Sequence, residues 1–232
     1  MALVKYGGGV IQMSGSLAGN TFARNRYGNY VRARTKPVNP KSTNQVLVRA
    51  VMATLTARWS QTLTAVQRTA WNLYASSVSM SNKLGETIYL SGFNHYIRSN
   101  HWFARMARTL VDDGPVIFEL PETDPTMSIS ISEATQQVTM TFDDTKPWCS
   151  EDDAMLVILQ GDPQNPQRNF FDGPWRGRSA KVGASGVPVT SPLDYASITV
   201  ASEGQRIWSK FRILRADGRL SNPFTASTFC AA

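Results

Sequence analysis

The first 85 residues of the chain contain no aspartate or glutamate, and the first carboxylate belongs to Glu86. Because this long segment has no counter-charge of its own, each of its cations must lie in solvent or meet an anionic partner. The segment therefore cannot fold around internal ion pairs. Eleven cations are affected: Lys5, Arg24, Arg26, Arg32, Arg34, Lys36, Lys41, Arg49, Arg58, Arg68 and Lys83.

The net charge of +7 conceals two halves of opposite sign. Residues 1–114 contain 14 Lys and Arg and 3 Asp and Glu, which gives +11, whereas residues 115–232 contain 10 and 14, which gives −4. Halves of opposite sign indicate two modules with different neighbours. They also favour head-to-tail attraction between copies of the chain.

Composition indicates a globular protein, since 42% of the residues are apolar and 18% are charged. The chain starts without a signal-peptide pattern and contains no apolar run near the ~18 residues of a membrane span. We therefore expect a soluble product made in the cytoplasm, with no membrane partner. Cys149 and Cys230 are expected to be reduced and partly buried there, although a bridge between them stays open.

Residues 1–41 are predicted to form an extended basic arm. Six glycines interrupt this segment, and Pro37 and Pro40 close it, so a helix is disfavoured. The sequence at 27–29, Tyr-Gly-Asn, indicates a turn between two strands. The predicted extended runs are 10–13, 21–26 and 30–36.

A three-residue loop at 27–29 predicts a β-ribbon with its arginines on one face. Three pairs are then opposed across the ribbon: Arg26 with Tyr30, Arg24 with Arg32, and Phe22 with Arg34. Residues two apart along a strand share a face, and like charges directly opposite each other destabilise a hairpin. Such a ribbon is unstable in isolation and is stabilised by contact with an anionic surface. The predicted partner- or phosphate-binding residues are Phe22, Arg24, Arg26, Tyr30, Arg32, Arg34, Lys36 and Lys41.

Residues 42–114 are predicted to form a small helical domain. Polar residues that fit helix N-caps precede three apolar runs, and Gln occupies the capping-box position after two of them. These caps are Ser42 (with Gln45), Thr64 (with Gln67) and Ser91. The apolar stripes at helical spacing are Leu47, Val51, Leu55 and Trp59; Val66, Ala70, Leu73 and Tyr74; and Phe93, Tyr96, Ile97, Phe103, Ala107 and Leu110. The Asp-Asp-Gly-Pro sequence at 112–115 predicts a domain boundary.

Residues 115–232 change to short β-rich runs separated by turns. In 137–142, apolar and polar residues alternate with the period of two that is typical of a half-buried strand, and 216–219 fits a hairpin turn. About seven strands in this length are typical of an antiparallel sandwich of two sheets. The predicted strands are 116–120, 127–131, 137–142, 154–160, 176–181, 195–200, 206–215 and 223–229.

Parts of this C-terminal half resemble an immunoglobulin-like or fibronectin type III module. The resemblance lies in Trp148 after strand 137–142, in the run 154–160, and in the strand 206–215 with the turn that follows it. The cysteine pair that joins the two sheets of antibody domains is absent, so the resemblance is one of architecture. With the arm and the helices, it implies an α+β fold.

The N-terminal half is similar to small uncharacterised proteins encoded among the structural genes of tailed bacteriophages. The segments that carry this similarity are GSLAG at 15–19, RNRYGNYVR at 24–32, TKPVNP at 35–40, QRTAWN at 67–72 and SGFN at 91–94. The resemblance implies a component of the virion, with other virion proteins and further copies of the chain as its partners. It implies no catalytic residues.

The residues that could perform chemistry form no recognised site. His95 and His101 are the two histidines, and six residues apart on a helix they do not share a face, so we expect ordinary surface or boundary histidines. The acidic runs 143–144 and 151–153 lack the spacing of a calcium loop and are expected to be solvated. We therefore predict no enzyme activity, no metal, no cofactor and no small-molecule substrate.

The sequence thus predicts a structural component of a phage virion that assembles through its N-terminal arm and helices. Capsid decoration, head–tail joining and tail structure all stay open. An arm of this kind gains order by adding strands to the sheet of a neighbour. The alternative is a nucleic-acid-binding protein that contacts phosphates through the same cations.

Overall fold

The computed structural model describes residues 2–36, 38–82 and 84–232. Pro37, predicted to help close the arm, and Lys83, one of the eleven cations, lie outside these ranges. The chain forms a small N-terminal sheet, three α-helices and a large curled β-sheet. The predicted α+β mixture is therefore confirmed. The predicted domain limits at 41/42 and 114/115 stay predictions.

The N-terminal sheet contains four short antiparallel strands in the order β1-β4-β3-β2. The strands are β1 (Ala2–Leu3), β2 (Gly15–Leu17), β3 (Asn20–Asn25) and β4 (Gly28–Ala33). The predicted strand at 10–13 is wrong, since these residues belong to no strand. Gly8 and Gly9 precede them with φ values of 63° and 93°, which break the extended conformation.

The hairpin of β3 and β4 has a different register from the predicted one. Its pairs are Asn25 with Gly28, Arg24 with Asn29, Ala23 with Tyr30, Phe22 with Val31, and Thr21 with Arg32. The turn is shorter than predicted because the Asn25 side chain accepts a hydrogen bond from the Tyr27 backbone N–H at 2.9 Å, and Gly28 adopts a φ of 124°. The predicted opposition of Arg24 and Arg32 is therefore wrong.

Three α-helices follow the arm. They are α1 (Thr43–Ala57), which continues as a π-helical turn (Arg58–Thr62), α2 (Ala65–Ser77) and α3 (Gly92–Arg105). The three predicted caps are confirmed, because Ser42, Thr64 and Ser91 each accept a hydrogen bond from the backbone N–H three residues later. A two-stranded hairpin of β5 (Met80–Ser81) and β6 (Thr87–Ile88) lies between α2 and α3.

Replacement of Thr64 by alanine removes half of the capping box at the start of α2. The Thr64 hydroxyl accepts from the Gln67 backbone N–H, and the Gln67 side chain accepts from the Thr64 N–H in return. We expect the free energy of unfolding, measured by urea denaturation, to fall by about 1 kcal/mol. Thr69→Ala in the interior of the same helix is the matched control, with an expected change below about 0.5 kcal/mol. Equal effects of the two substitutions would contradict the capping role.

The helices pack around a buried aromatic cluster. Trp71 and Tyr96 are fully buried and meet edge to face, with ring centroids 5.7 Å apart. The Trp71 indole N–H donates a hydrogen bond to the Asp112 carbonyl at 2.9 Å. The Asp112 carboxylate in turn accepts two hydrogen bonds from the Arg58 guanidinium, at 2.8 and 2.6 Å. This network joins all of the helical segment, from the end of α1 to the residues after α3.

The large sheet contains seven strands in the order β10-β9-β12-β13-β7-β8-β11. They are β7 (Ser128–Ser132), β8 (Gln137–Thr141), β9 (Met155–Gly161), β10 (Trp175–Val182), β11 (Leu193–Ala196), β12 (Arg206–Leu214) and β13 (Phe224–Ala231). Neighbouring strands are antiparallel except β13 and β7, which pair in parallel through Cys230 and Ala231. The prediction of an entirely antiparallel sheet is corrected at this pair.

Six of the eight predicted C-terminal strands are present; the predicted strand 195–200 shares only two residues with β11, and 116–120 forms no strand. Pro115 and Pro121 bracket this segment, and neither can donate a hydrogen bond to a ladder. Its apolar residues remain at the surface, where Val116 is 83% exposed. Residues 116–120 therefore connect the helices to the large sheet without pairing.

The large sheet curls so that its two ends pack against each other. Side chains from both ends share one buried cluster: Ile129, Val138 and Met140 from β7 and β8 with Leu156, Ile207 and Phe211 from β9 and β12. Cys149 and Cys230 lie in this cluster as free thiols, and burial raises the pKa of Cys149 to about 12. Trp102 and Phe103 of α3 pack on the other face of β9.

Candidate interaction surface of the N-terminal arm

Among the residues that the structure describes, none between positions 2 and 54 is buried. The first buried side chain is that of Leu55, in α1. The four-stranded sheet of the arm therefore has no hydrophobic core on either face. Because a small sheet without an apolar core or a covering layer is marginally stable, the arm depends for its order on contacts outside itself.

The first twelve residues of α1, 43–54, extend this exposed surface with apolar side chains. Val46 is 52% exposed, Leu47 is 44% exposed and Met52 is 39% exposed. The predicted apolar stripe of α1 is therefore a core element only towards its C-terminal end, where Leu55 is buried. We call residues 2–54 the uncovered segment, because the arm and these residues of α1 follow each other without a buried residue in the described ranges.

The arm presents six cations that form no ion pair with any described residue. All six are exposed. By contrast, Lys5 forms an ion pair with Glu86 at 2.5 Å. The absence of carboxylates from the first 85 residues therefore leaves most of the arm's charge unpaired, as the sequence predicted. The six cations are Arg24, Arg26, Arg32, Arg34, Lys36 and Lys41.

The observed register distributes these cations around the ribbon instead of gathering them on one face. Phe22 and Arg24 lie on one face of the sheet, whereas Tyr30 and Arg32 lie on the other. Both aromatic residues are half-buried. The predicted single binding face is therefore wrong, since the structure does not bring the eight predicted residues together. The remaining four lie in the turn or beyond β4: Arg26, Arg34, Lys36 and Lys41.

Besides the Arg49 guanidinium, which donates a hydrogen bond to the nearby Asn39 side chain at 2.9 Å, two long-range polar contacts anchor the arm on the helical segment. One is the ion pair of Lys5 with Glu86. In the other, the Asn94 side-chain amide donates a hydrogen bond to the Tyr27 hydroxyl at 2.7 Å. Sequence reasoning missed both contacts, because they join residues far apart in the chain and no local pattern marks them. The one sequence feature that could have indicated these contacts is Glu86, the first carboxylate of the chain.

An open groove of about 630 Å³ lies beside these anchors. It runs between the glycine-rich loop after β1 and the residues around Glu86. Two polar atoms here, the Tyr6 hydroxyl and the Asn29 side-chain carbonyl, are buried without a hydrogen-bond partner in the described part of the chain. The junction of arm and helices therefore retains hydrogen-bonding capacity that the described residues do not use.

His95 is buried in the helical segment, so its predicted position at the surface or boundary is wrong. Its ring packs edge to face on Tyr74, with centroids 5.1 Å apart, because α3 turns this residue towards α2. Burial, with a smaller contribution from the Arg98 guanidinium, lowers the pKa of His95 to about 4. The neutral ring therefore serves as an aromatic core residue.

Hydrogen bonds from threonine and serine residues hold the carboxylates of the acidic loops in place. Asp143 accepts from the backbone N–H and hydroxyl of Thr145, and Asp152 accepts from those of Ser185. The described ranges contain no group of three or more His, Cys, Asp or Glu side chains that could hold a metal ion. No helix in the same ranges is long and apolar enough to cross a membrane.

No family model and no curated protein matches the sequence. Three solved structures overlap about half of the chain. An Fn3-like protein from Clostridium thermocellum is 11% identical, with a TM-score of 0.30, and the match covers 47% of this chain and 92% of that one. A family 76 glycoside hydrolase from a bovine Bacteroides thetaiotaomicron strain is 12% identical, with a TM-score of 0.31 and coverage of 48% and 21%. A beta-1,2-glucanase from Parabacteroides distasonis is 12% identical, with a TM-score of 0.27 and coverage of 51% and 14%.

All three TM-scores are too low to establish a shared fold. This chain spans only a small part of the two hydrolases. Neither match is a positive indication of enzyme activity. The comparisons identify no family for the chain.

Proposed function

We propose that this chain is a structural subunit of a bacteriophage virion and that it joins its neighbours through the uncovered segment. One observation carries the proposal: residues 2–54 form a four-stranded sheet and most of a helix without a buried side chain in the described ranges. Fixing the backbone costs about 1–2 kcal/mol per residue, and burial within the segment does not offset this cost. A neighbouring chain that covers the segment supplies the missing burial.

The chemistry of the uncovered segment supports a protein partner with an acidic and partly apolar surface. Six unpaired cations surround the ribbon, and Val46, Leu47 and Met52 follow on α1. Arginines bind carboxylates through two parallel hydrogen bonds, and extended strands add to free sheet edges through main-chain hydrogen bonds. Shells and tails bring many copies into contact, which agrees with the similarity of the N-terminal half to phage structural proteins. Decoration, head–tail and tail positions are equally compatible.

Within this subunit, we propose an immunoglobulin-like or fibronectin type III-like module at 115–232, a helical domain at 42–114 and the arm at 1–41. The curled sheet supports the module, because β7, β8 and β11 form one end of the strand order while β10, β9 and β12 form the other. The two ends share one core, as the two sheets of a sandwich do. Such a module can project from an assembly or pack beside a neighbour.

Nucleic acid is the alternative partner of the six cations. Proteins that bind a duplex cluster their cations on one face, whereas Arg24 and Arg32 lie on opposite faces of the ribbon. A ribbon with charge on both faces is better suited to a cleft between two protein surfaces. The observed register therefore favours protein over phosphate.

Neutralising the ribbon tests the proposed function. The arm variant carries Arg24→Gln, Arg26→Gln, Arg32→Gln and Arg34→Gln, and its control carries lysine at the same four positions, which keeps the charge. We expect the arm variant to enter purified phage particles at least about tenfold less than the natural chain, since several ion pairs of up to about 1 kcal/mol each are lost. Quantitative mass spectrometry of the particles measures this. The lysine control, which keeps the charge but loses the paired hydrogen bonds of arginine, should enter at a level between those of the natural chain and the arm variant.

Binding of a short DNA duplex by the same three proteins separates the two candidate functions. The proposed function predicts weak binding that the arm variant scarcely changes. Tight binding that falls steeply with salt and is lost in the arm variant would replace the structural role with the nucleic-acid alternative. Absence of the natural chain from particles would contradict the virion assignment directly.

A further inference from the structure

The large sheet separates its charges between its two ends. Strands β7, β8 and β11, at one end, contain neither lysine nor arginine. The cations of the sheet all belong to β10 and β12, at or near the other end: Arg176, Arg178, Lys181, Arg206, Lys210 and Arg212. We call the three strands β7, β8 and β11 the cation-free end.

Carboxylates surround the cation-free end. Asp194 lies on β11, Asp143 and Asp144 follow β8, and Glu133 and Glu203 lie together near the other end of the same strands. Within the described ranges none of the five forms an ion pair. Their partners are polar groups, as in the hydrogen bonds from the Thr139 hydroxyl to Asp194 at 2.6 Å and from the Glu203 backbone N–H to Glu133 at 2.7 Å.

The cation closest in sequence does not neutralise this surface. Lys146, which follows Asp143 and Asp144, forms an ion pair with Glu122 at 3.2 Å. Glu133, Asp144, Asp194 and Glu203 are exposed. Although Lys146 also attracts the Asp143 carboxylate, the surface retains a net negative charge that can attract a cationic partner.

Strand β11 is also a free edge of the sheet. It pairs with β8 on one side, and the strand order ends there. Proteins commonly protect such edges with lysines, and β10, the opposite edge strand, carries Lys181. β11 has no cation. A groove of about 430 Å³ runs beside Asp194 over the outer face of β7 and β8, lined by Ser130, Gln137 and Thr139.

We infer that the β11 edge receives the basic arm of a second copy of this chain, an inference that rests on the proposed function. Charge complementarity identifies the occupant, since the arm holds six unpaired cations and the edge is surrounded by five unpaired carboxylates. The arm also offers a strand to add: β2 pairs with β3 only through Asn20, Thr21 and Phe22, so residues 23–25 are uncovered on that side.

Docking of this kind joins two different surfaces of the chain. Residues 23–25 would pair with β11 by main-chain hydrogen bonds, which brings Arg24 near Asp194. Because the donor and acceptor surfaces differ, each copy can donate its arm to one neighbour and receive the arm of another. Head-to-tail contacts of this type generate rings or filaments, which is the form of assembly that shells and tails use.

A mixing experiment tests the inference. The edge variant carries Glu133→Gln, Asp144→Asn and Asp194→Asn, and its control carries Asp113→Asn, Glu119→Gln and Asp152→Asn, with the same change of charge at exposed positions elsewhere. Sedimentation velocity at low ionic strength should show association of the natural chain and of the control. The arm variant and the edge variant alone should each associate about tenfold more weakly or worse.

An equimolar mixture of the two variants should form dimers and nothing larger. The edge variant still has an intact arm, and the arm variant still has an intact edge, so one contact forms and the chain of contacts then stops. A mixture that stays monomeric would overturn the inference, and so would a monomeric natural chain.

The outcomes also separate the inference from the proposed function. If the edge variant associates like the natural chain while the arm variant does not, the β11 edge is not the acceptor and the proposed function still stands. If the arm variant associates normally and enters particles normally, the proposed function itself is wrong.

Discussion

Replacement of Trp71 by alanine is expected to lower the free energy of unfolding by about 3–5 kcal/mol. Trp71 is fully buried, and its ring meets Tyr74 and Tyr96 edge to face. Its indole N–H also donates to the Asp112 carbonyl at 2.9 Å, so the substitution leaves a cavity and an unsatisfied acceptor. Urea denaturation followed by circular dichroism measures the change.

Val66→Ala is the matched control for Trp71→Ala, because Val66 lies on the same helix and is 79% exposed. We expect this control to change the free energy of unfolding by less than about 0.5 kcal/mol. If Trp71→Ala proves as mild as the control, the aromatic cluster is not the core of the helical segment.

Acidification from neutral pH to about pH 4 is expected to reduce the free energy of unfolding by about 3 kcal/mol through His95. Burial and Arg98 lower the pKa of His95 in the folded protein from 6.5 to about 4. The unfolded chain therefore binds a proton first as the pH falls below 6.5, and each step towards pH 4 favours unfolding. The contribution of the neutral ring is complete above pH 6.5.

His95→Gln isolates this contribution, because glutamine does not titrate. Urea denaturation across the same pH range should show a shallower fall in stability for the variant than for the natural chain. His101, whose pKa is lowered by burial, and carboxylates with lowered pKa values, such as Asp143 and Asp152, remain in both proteins and cause the residual slope. Identical pH profiles for the two proteins would contradict the burial of a neutral His95.

Local sequence patterns predicted the helices and most of the large sheet. Thr64 and Gln67 mark the start of α2 because both partners lie within one turn of helix. In β8, the alternation of apolar and polar residues reports which face is buried, and Val138 and Met140 are indeed fully buried. Patterns of this kind depend only on neighbours in the sequence.

The register of the arm could not be predicted in the same way. Tyr27-Gly28-Asn29 fits a three-residue loop, but the Asn25 side chain closes a two-residue turn and Gly28 joins β4. A change of one position in a strand moves every side chain to the other face. The observed pairing differs from the predicted one by three positions, an odd number, so Arg24 and Arg32 lie on opposite faces and the predicted binding face is lost.

The exposed half of α1 shows a second limit of sequence patterns. Leu47 and Leu55 belong to one predicted stripe, yet Leu47 is 44% exposed whereas Leu55 is buried. Periodicity shows that a helix has an apolar side, but it does not identify the surface that covers it. For the N-terminal half of α1 that surface is not supplied by the described part of this chain, which agrees with a neighbour as its source.

Hydrogen exchange followed by mass spectrometry tests most directly whether the uncovered segment depends on a neighbour for its order. In the isolated monomer, we expect the amides of the arm to exchange almost without protection, while those of α2, β9 and β12 exchange slowly. In the assembled protein, the arm amides should slow by about tenfold or more. The dependence on a neighbour would be contradicted if the arm amides of the monomer were as protected as those of β12, or if assembly gave them no further protection.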